Sequence, residues 1–275
     1  MALNKEVWVT DIQETLELGL DFLPRMSDYS EFTTNKTVHL PQSGAATQIY
    51  KNANVFPLAV AQRTDTLKSF DIDQYSTQAF LVTNIEEYQL SYNKRQSIMG
   101  QHIRALAENM ASTVLQSITP TEAARTVTTT GPLAFADIVE VAKILDKDNM
   151  GAADRSLELP VDMFYELLQD EHVLKQYISG MSGSVVASGN YVEIAGIKIY
   201  KRPTVATIGS AAAGVAYHKE AVAFAKDSPE VFTDSGDGNG NPLYGGGIIM
   251  SALGWLGATR LRTDSKGVVA LVRGV

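Results

Sequence analysis

The chain has 275 residues, 45% hydrophobic and 20% charged, a composition that supports one large globular domain or two interleaved ones. It has no cysteine, which excludes disulfides, thiolate catalysis and thiolate-ligated metals. The formal net charge of −8 excludes a tight nucleic-acid binder, which needs a basic footprint to displace counterions from phosphate.

The start, MALNKEVWVTDIQETLELG, lacks the basic, apolar, small-residue order of a secretion signal, so an unsecreted protein is expected. No apolar run approaches the roughly 18 residues of a membrane span. Thr10 and Gln13 read as a capping box opening a short acidic helix over 11–20, which Pro24 ends. Up to Glu31 there are seven acids against Lys5 and Arg25. From Asp28 to about Val82 come short β-like pieces (KTVHLP, VFPLAVAQRTDTLKSFDI, AFLVT) around the polar stretch QSGAATQIYKNAN. So few large apolar residues cannot make a core of their own, and the pattern predicts a protruding hairpin that leans on a neighbour.

Asn84 with Glu87 marks the next helix start, and Ile85, Tyr88, Tyr92, Met99, Ile103, Leu106, Met110 and Val114 recur at helical spacing. A helix over 84–118 is predicted, on the order of 50 Å long, with Gly100 as the place where it can bend or divide. PLAFADIVEVAKILDK reads as a helix with Phe135, Ile138, Val139 and Ala142 on its apolar face, SLELP as a strand, and Val161 to Gln169 as a helix. YVEIAGIKIYKRP reads as two strands around an Ala195-Gly196 turn. The end returns to strands: VAYHKEAVAFA, GGIIMSALGWLGATRLR and GVVALVRG.

Few motifs carry chemistry. DSGDGNGNPLYGGG offers Asp234, Asp237 and Asn239 as weak metal ligands, but Pro242 and Ile248 stand where a calcium loop needs Gly and a bidentate Glu. The loop has no phosphate-loop Lys-Ser/Thr ending either, so a turn is the better reading. Histidines 39, 102, 172 and 218 are scattered without ligand spacing, and GMSGS places Ser184 where a nucleophile elbow needs Gly. His218-Lys219-Glu220 cannot converge on one substrate atom, because neighbouring residues on a strand face opposite ways. No catalytic residue and no cofactor are expected.

Taken in order, the acidic arm, the β excursion ending in LVTNIEEYQLSYNKRQSIMGQHIRALAENMA, then RSLELPVDMFYELLQD, GNYVEIAGIKIYKRPTV and AYHKEAVAFA resemble the major capsid protein of tailed double-stranded DNA bacteriophages, with its Hong Kong 97-like fold. The resemblance covers nearly the whole chain. It implies an α+β fold with an N-terminal arm (1–30), an extended β-hairpin loop with leading strands (31–82), a peripheral domain with a long spine helix (84–118), an axial domain (119–214) and returning peripheral strands (215–275). On that mapping His218-Lys219-Glu220 lies on a peripheral strand, its side chains alternating between core and shell surface.

The family implies a non-enzymatic shell subunit that assembles as pentamers and hexamers into an icosahedral head. Its partners would be its own copies, portal and scaffolding proteins, cement proteins, and packaged DNA by containment; no membrane is involved. Some members begin with a cleaved scaffolding segment. This chain starts almost at the arm, so scaffolding is expected as a separate protein or as already removed. Lys51, Asp237, Arg260 and Arg262 are candidates for contacts between subunits, the arginines against the acidic 234–247 loop. Lys36, Lys51 and Lys68 are available to cross-link, but nothing singles one out. Two other classes remain: an encapsulin-like nanocompartment shell, and a small-molecule α/β enzyme using the Gly-rich loops.

Overall fold

In the computed structural model, which describes residues 20–44, 49–52, 63–82, 94–173, 191–234 and 248–274, the apolar stripe of the central helix is its buried face. Helix α1 (Lys94–Ile118) buries Ile103, Leu106, Ala107, Met110, Ala111, Val114, Leu115 and Ile118. These recur at three- and four-residue steps, which is one side of a 3.6-residue turn. The helix runs unbroken through Gly100, about 37 Å of axis. The expected first turns over 84–93, like residues 11–19 of the helix expected over 11–20, lie outside the described residues.

The strands run in chain order as β1 (Ser27–Asp28), β2 (Thr33–Thr34), β3 (Thr37–Gln42), β4 (Thr66–Asp71), β5 (Asp73–Ser76), β6 (Phe80–Val82), β7 (Thr126–Thr129) and β8 (Arg155–Pro160). They continue as β9 (Tyr191–Ile194), β10 (Ile197–Arg202), β11 (Ala206–Ile208), β12 (Ala211–His218), β13 (Val222–Asp234), β14 (Ile248–Arg260) and β15 (Val268–Arg273). Helices α2 (Phe135–Lys147) and α3 (Val161–Gln169) flank β8.

Three sheets result. The largest has the order β7-β15-β12-β8-β10-β9, with β11 on β12. On one face Leu157, Leu159, Ile197, Ile199, Ala216 and Leu271 meet α2 and α3. On the other, Val215, Tyr217 and Val268 join the α1 core. Because this sheet is covered on both sides, all six residues of β8 are buried. The second sheet, β1-β13-β14-β5 with β6 on β14, sends Val222 and Phe224 toward α1. Its opposite face sends Ala223 and Ala225 to a third cluster with Val38, Leu40 and Ile72. The third sheet, β2-β3-β4, is the base of the expected hairpin, paired from Thr37↔Asp71 to Gln42↔Thr66.

Several expectations are corrected. The apolar face of α2 is Ile138, Val141, Ala142 and Leu145, whereas Val139 is exposed and Phe135 only half-buried. Spacing of three, four and seven from Ile138 selects that set. VAYHKEAVAFA is not one strand. The chain leaves the seven-stranded sheet at His218, turns through a 3-10 segment at Lys219–Ala221 and enters the other sheet at Val222. Segment 215–275 therefore serves both large sheets, and its last strand, β15, lies between β7 and β12. Side chains of β12 do not alternate between core and shell surface, because its last six residues are all buried.

The Ala195-Gly196 turn forms as expected. Both residues have positive φ (51° and 75°), and Ile194 pairs directly with Ile197, the geometry of a two-residue hairpin loop. No helix among the described residues is long and apolar enough to cross a membrane.

Candidate functional site

Large apolar side chains are exposed on β4, on the stretch 49–52 and on the 3-10 turn Ser30–Phe32 that precedes β2. Phe32 is 64% exposed, Leu67 66% and Ile49 94%, and Tyr50 is half-exposed. The base beneath them is fixed. Lys36 Nζ lies 4.1 Å above the Trp255 ring, Lys68 donates to the Arg260 carbonyl, and Ile72 N–H donates to the Lys36 carbonyl at 2.8 Å. Burial lowers the Lys68 ammonium below its ordinary range, and the nearby Arg260 charge adds to that. Exposed large apolar groups on and beside one excursion of the chain make it a candidate surface for contact with another molecule.

A second site lies where residues 20–28 enter the fold. Phe22, Leu23 and Met26 are buried in the α1 core, and Pro24 is the second residue of the 3-10 turn Leu23–Arg25. That turn aims Arg25 at Glu158, in the middle of β8. Arg25 Nε and Nη2 donate to Glu158 Oε1 at 3.1 and 2.9 Å, and Tyr217 Oη donates to the same oxygen at 3.2 Å. Arg202 Nη1 donates to Asp21 Oδ1 at 2.5 Å and stands 3.9 Å from Glu158 Oε2. Aromatic faces support both guanidiniums, Tyr200 under Arg25 and Phe22 under Arg202. Burial is the largest influence on Glu158 and raises its carboxyl, with Arg25 and Arg202 pulling against it. Burial, and then the charge of Glu158, raises the Tyr217 hydroxyl well above its ordinary range.

The four histidines stay apart. His102 stacks on Phe80 at 4.7 Å, and His172 faces Phe135 at 5.9 Å. His218 Nδ1 accepts the Glu220 backbone N–H, which sets the corner between the sheets, while Lys219 is exposed and its carbonyl accepts the Ser27 hydroxyl. His218-Lys219-Glu220 is thus a corner built on backbone contacts. Among the described residues no three histidines or carboxylates cluster as metal ligands.

Lys51 is exposed on the hairpin excursion. Asp234 is exposed at the end of β13, while Asp237 and Asn239 lie outside the described residues. Arg260 donates to both Glu122 oxygens (3.3 and 3.2 Å) and to Ser265 Oγ, and Arg262 makes a two-pronged contact with Asp264 at 3.0 Å. Asp234 pairs with Ile249 near the start of β14, whereas Arg260 ends that strand eleven residues later, roughly 36 Å away along it.

Sequence reasoning missed Glu158, Arg25, Arg202 and Asp21 as a unit. The only local signal was Glu158 between two leucines, and that alternation reads as a strand with Glu158 facing outward; burial of the whole strand is set by what covers its second face. A buried carboxylate needs a cation.

Comparison with solved structures places this architecture among phage capsid chains. The capsid of Cyanophage P-SCSP1u is 16% identical and matches over 91% of this chain and 86% of its own, with a TM-score of 0.69. A chain from Mycobacterium phage Che8 is 18% identical, covers 91% and 90% and has a TM-score of 0.71. The cyanophage Pam1 capsid gives 10%, 92% and 91%, with a TM-score of 0.68. No family model matches the sequence, and no curated protein does. The chain has the fold of these capsid chains, which is the α+β fold that the sequence resemblance predicts.

Proposed function

We propose that this chain is the major capsid protein of a tailed double-stranded DNA bacteriophage, a structural subunit that assembles as hexamers and pentamers into an icosahedral head. The observation that carries the reading is agreement in fold with a phage capsid along 91% of the sequence. The exposed apolar residues on and beside the β3–β4 excursion, Leu67 and Ile49 among them, support it, since a neighbouring copy would cover them. An acidic subunit encloses DNA without gripping it, because like charge keeps the polymer off the wall.

On this reading the seven-stranded sheet with α2 and α3 is the axial domain, and the five-stranded sheet with α1 the peripheral domain. Residues 1–30 are the arm and the β3–β4 hairpin is the extended loop. The protein has no catalytic role. It assembles in the host cytoplasm with portal and scaffolding proteins, binds cement proteins where the virus has them, and ends in the virion shell. Negative-stain microscopy and sizing of the purified chain test the proposal. Capsomers, shells or other capsid-like polymers of megadalton size are expected. A monomer or dimer that persists at every concentration and salt would overturn it.

A further inference from the structure

The four charges at the junction can be paired in two ways. As they stand, both pairs cross from residues 20–28 to the seven-stranded sheet: Arg25 with Glu158 at 2.9 Å and Asp21 with Arg202 at 2.5 Å. The alternative pairing is already within reach on each side. Arg25 Nη2 lies 3.9 Å from Asp21, four residues before it, and Arg202 Nη1 lies 3.9 Å from Glu158 Oε2. That oxygen is buried and accepts no hydrogen bond from the described residues, although Oε1 accepts three. An acceptor therefore stands open toward the one guanidinium that would remain if the segment left.

We propose that residues 20–28 form a releasable latch that opens by exchange of ion-pair partners, Arg25 leaving with Asp21 while Arg202 closes onto Glu158. In an ordinary buried ion pair, departure of one partner strands the other charge away from water, which is the main penalty for breaking it. Here departure leaves a neutral Arg202–Glu158 pair between adjacent strands, since β10 and β8 pair with Tyr200 opposite Glu158. The departing pair is neutral too. The remaining ties of the latch are the pairing of two β1 residues with β13, the bond from Ser27 to the Lys219 carbonyl, and the Tyr29 N–H bond to the Phe224 carbonyl at its end. Arg25 also stacks on Tyr200 and Arg202 on Phe22, and Leu20, Phe22, Leu23 and Met26 are buried. Those apolar contacts keep the closed state dominant. Partner exchange makes the open state a local event and not a global unfolding.

Hydrogen exchange of the full-length chain at subunit level, followed by mass spectrometry, tests this through a difference in sign. Arg202→Ala deletes the partner that Glu158 needs once the latch is open, so opening becomes rarer. Protection of peptides spanning 20–30 should rise by roughly tenfold or more. If Arg202 only tethers Asp21, the same substitution removes a tie and protection falls; a fall, or no change, overturns the proposal. Asp21→Asn is the counterpart: it removes the direct Asp21–Arg202 contact of the closed state, whereas in the open state it removes only a solvent-exposed Asp21–Arg25 pair, which is worth little, so protection of 20–30 should fall several-fold. The wild-type chain gives a measurement that needs no variant. Residues 20–30 must exchange well before β12, and exchange of both only by global unfolding would overturn the latch even if Arg202→Ala failed to fold.

Discussion

Asp264 and Glu158 show how one charge serves opposite ends at the surface and at the junction. Asp264 accepts two hydrogen bonds from Arg262, one from the Lys266 backbone N–H, and an ion pair from Lys266 Nζ at 3.3 Å. The Arg262 bonds are the largest influence and hold its carboxyl well below the ordinary range. A lowered carboxyl contributes stability that is present above the unfolded value, about 4, and is lost as pH falls toward the folded one. Asp264→Asn should therefore melt below wild type at neutral pH, with the gap closing under acid. A gap constant from pH 7 to pH 3 would contradict the assignment. Glu158 runs the other way: burial raises its carboxyl, so folding favours its protonated form and its contribution declines as pH rises through the folded value. Space decides the fate of Gly257. A Cβ there would sit 2.3 Å from the Asp71 carbonyl oxygen and 3.1 Å from Ile72 Cα, both backbone atoms that cannot swing aside. Gly257→Ala should cost about 1–3 kcal/mol, visible as a lower urea midpoint at unchanged m-value.

Element by element, legibility followed how local the cause was. The stripe on α1 is a property of the helix alone, and its described part was readable at Ile103, Leu106, Met110 and Val114. Leu106→Asp should place an unpaired carboxylate against Met110 and the strands below, at a cost of several kcal/mol out of a typical 5–15. Insoluble or molten protein by near-ultraviolet circular dichroism is the expected result; a soluble, cooperatively melting variant would mean that this face is exposed. The Ala195-Gly196 turn was equally readable, because two residues between alternating strands admit few backbone geometries. The corner at 218–221 was not. Apolar residues continue on both sides of it, so the composition carries no mark of a change of sheet. What fixes the corner is distant, namely the bonds from His218 N–H to the Gly267 carbonyl and from Lys219 N–H to the Asp154 carbonyl. The charged junction shares that character. Glu158 meets Arg25 across 133 residues and Tyr217 across 59, separations over which no spacing rule operates.

For the whole molecule, the proposed function divides what folds the chain from what would join copies of it at the hairpin. Its base is part of the fold, because Val38, Leu40 and Ile72 are buried with Ala223 and Ala225 of the five-stranded sheet. Beyond Gln42↔Thr66 no further ladder pair forms among the described residues, and Ile49 faces solvent. Gly44 N–H still bonds Asp65 Oδ1 at 3.0 Å, so the two chain ends remain adjacent just above the last ladder pair. Replacing residues 45–62 with an Asn-Gly turn should therefore preserve the β3–β4 register. Subunit stability should change little, with a shift in melting temperature of no more than about 4 °C, the effect of roughly 1 kcal/mol in a chain of this size. Assembly should fail, because the truncated subunit has lost the surface that a neighbour covers. Sizing and microscopy beside a melting curve separate the two effects. Failure to assemble with an intact melting transition places the hairpin tip at the subunit interface. Capsid-like particles from the truncated chain would remove it from that role, and loss of the melting transition would make it part of the subunit's own core.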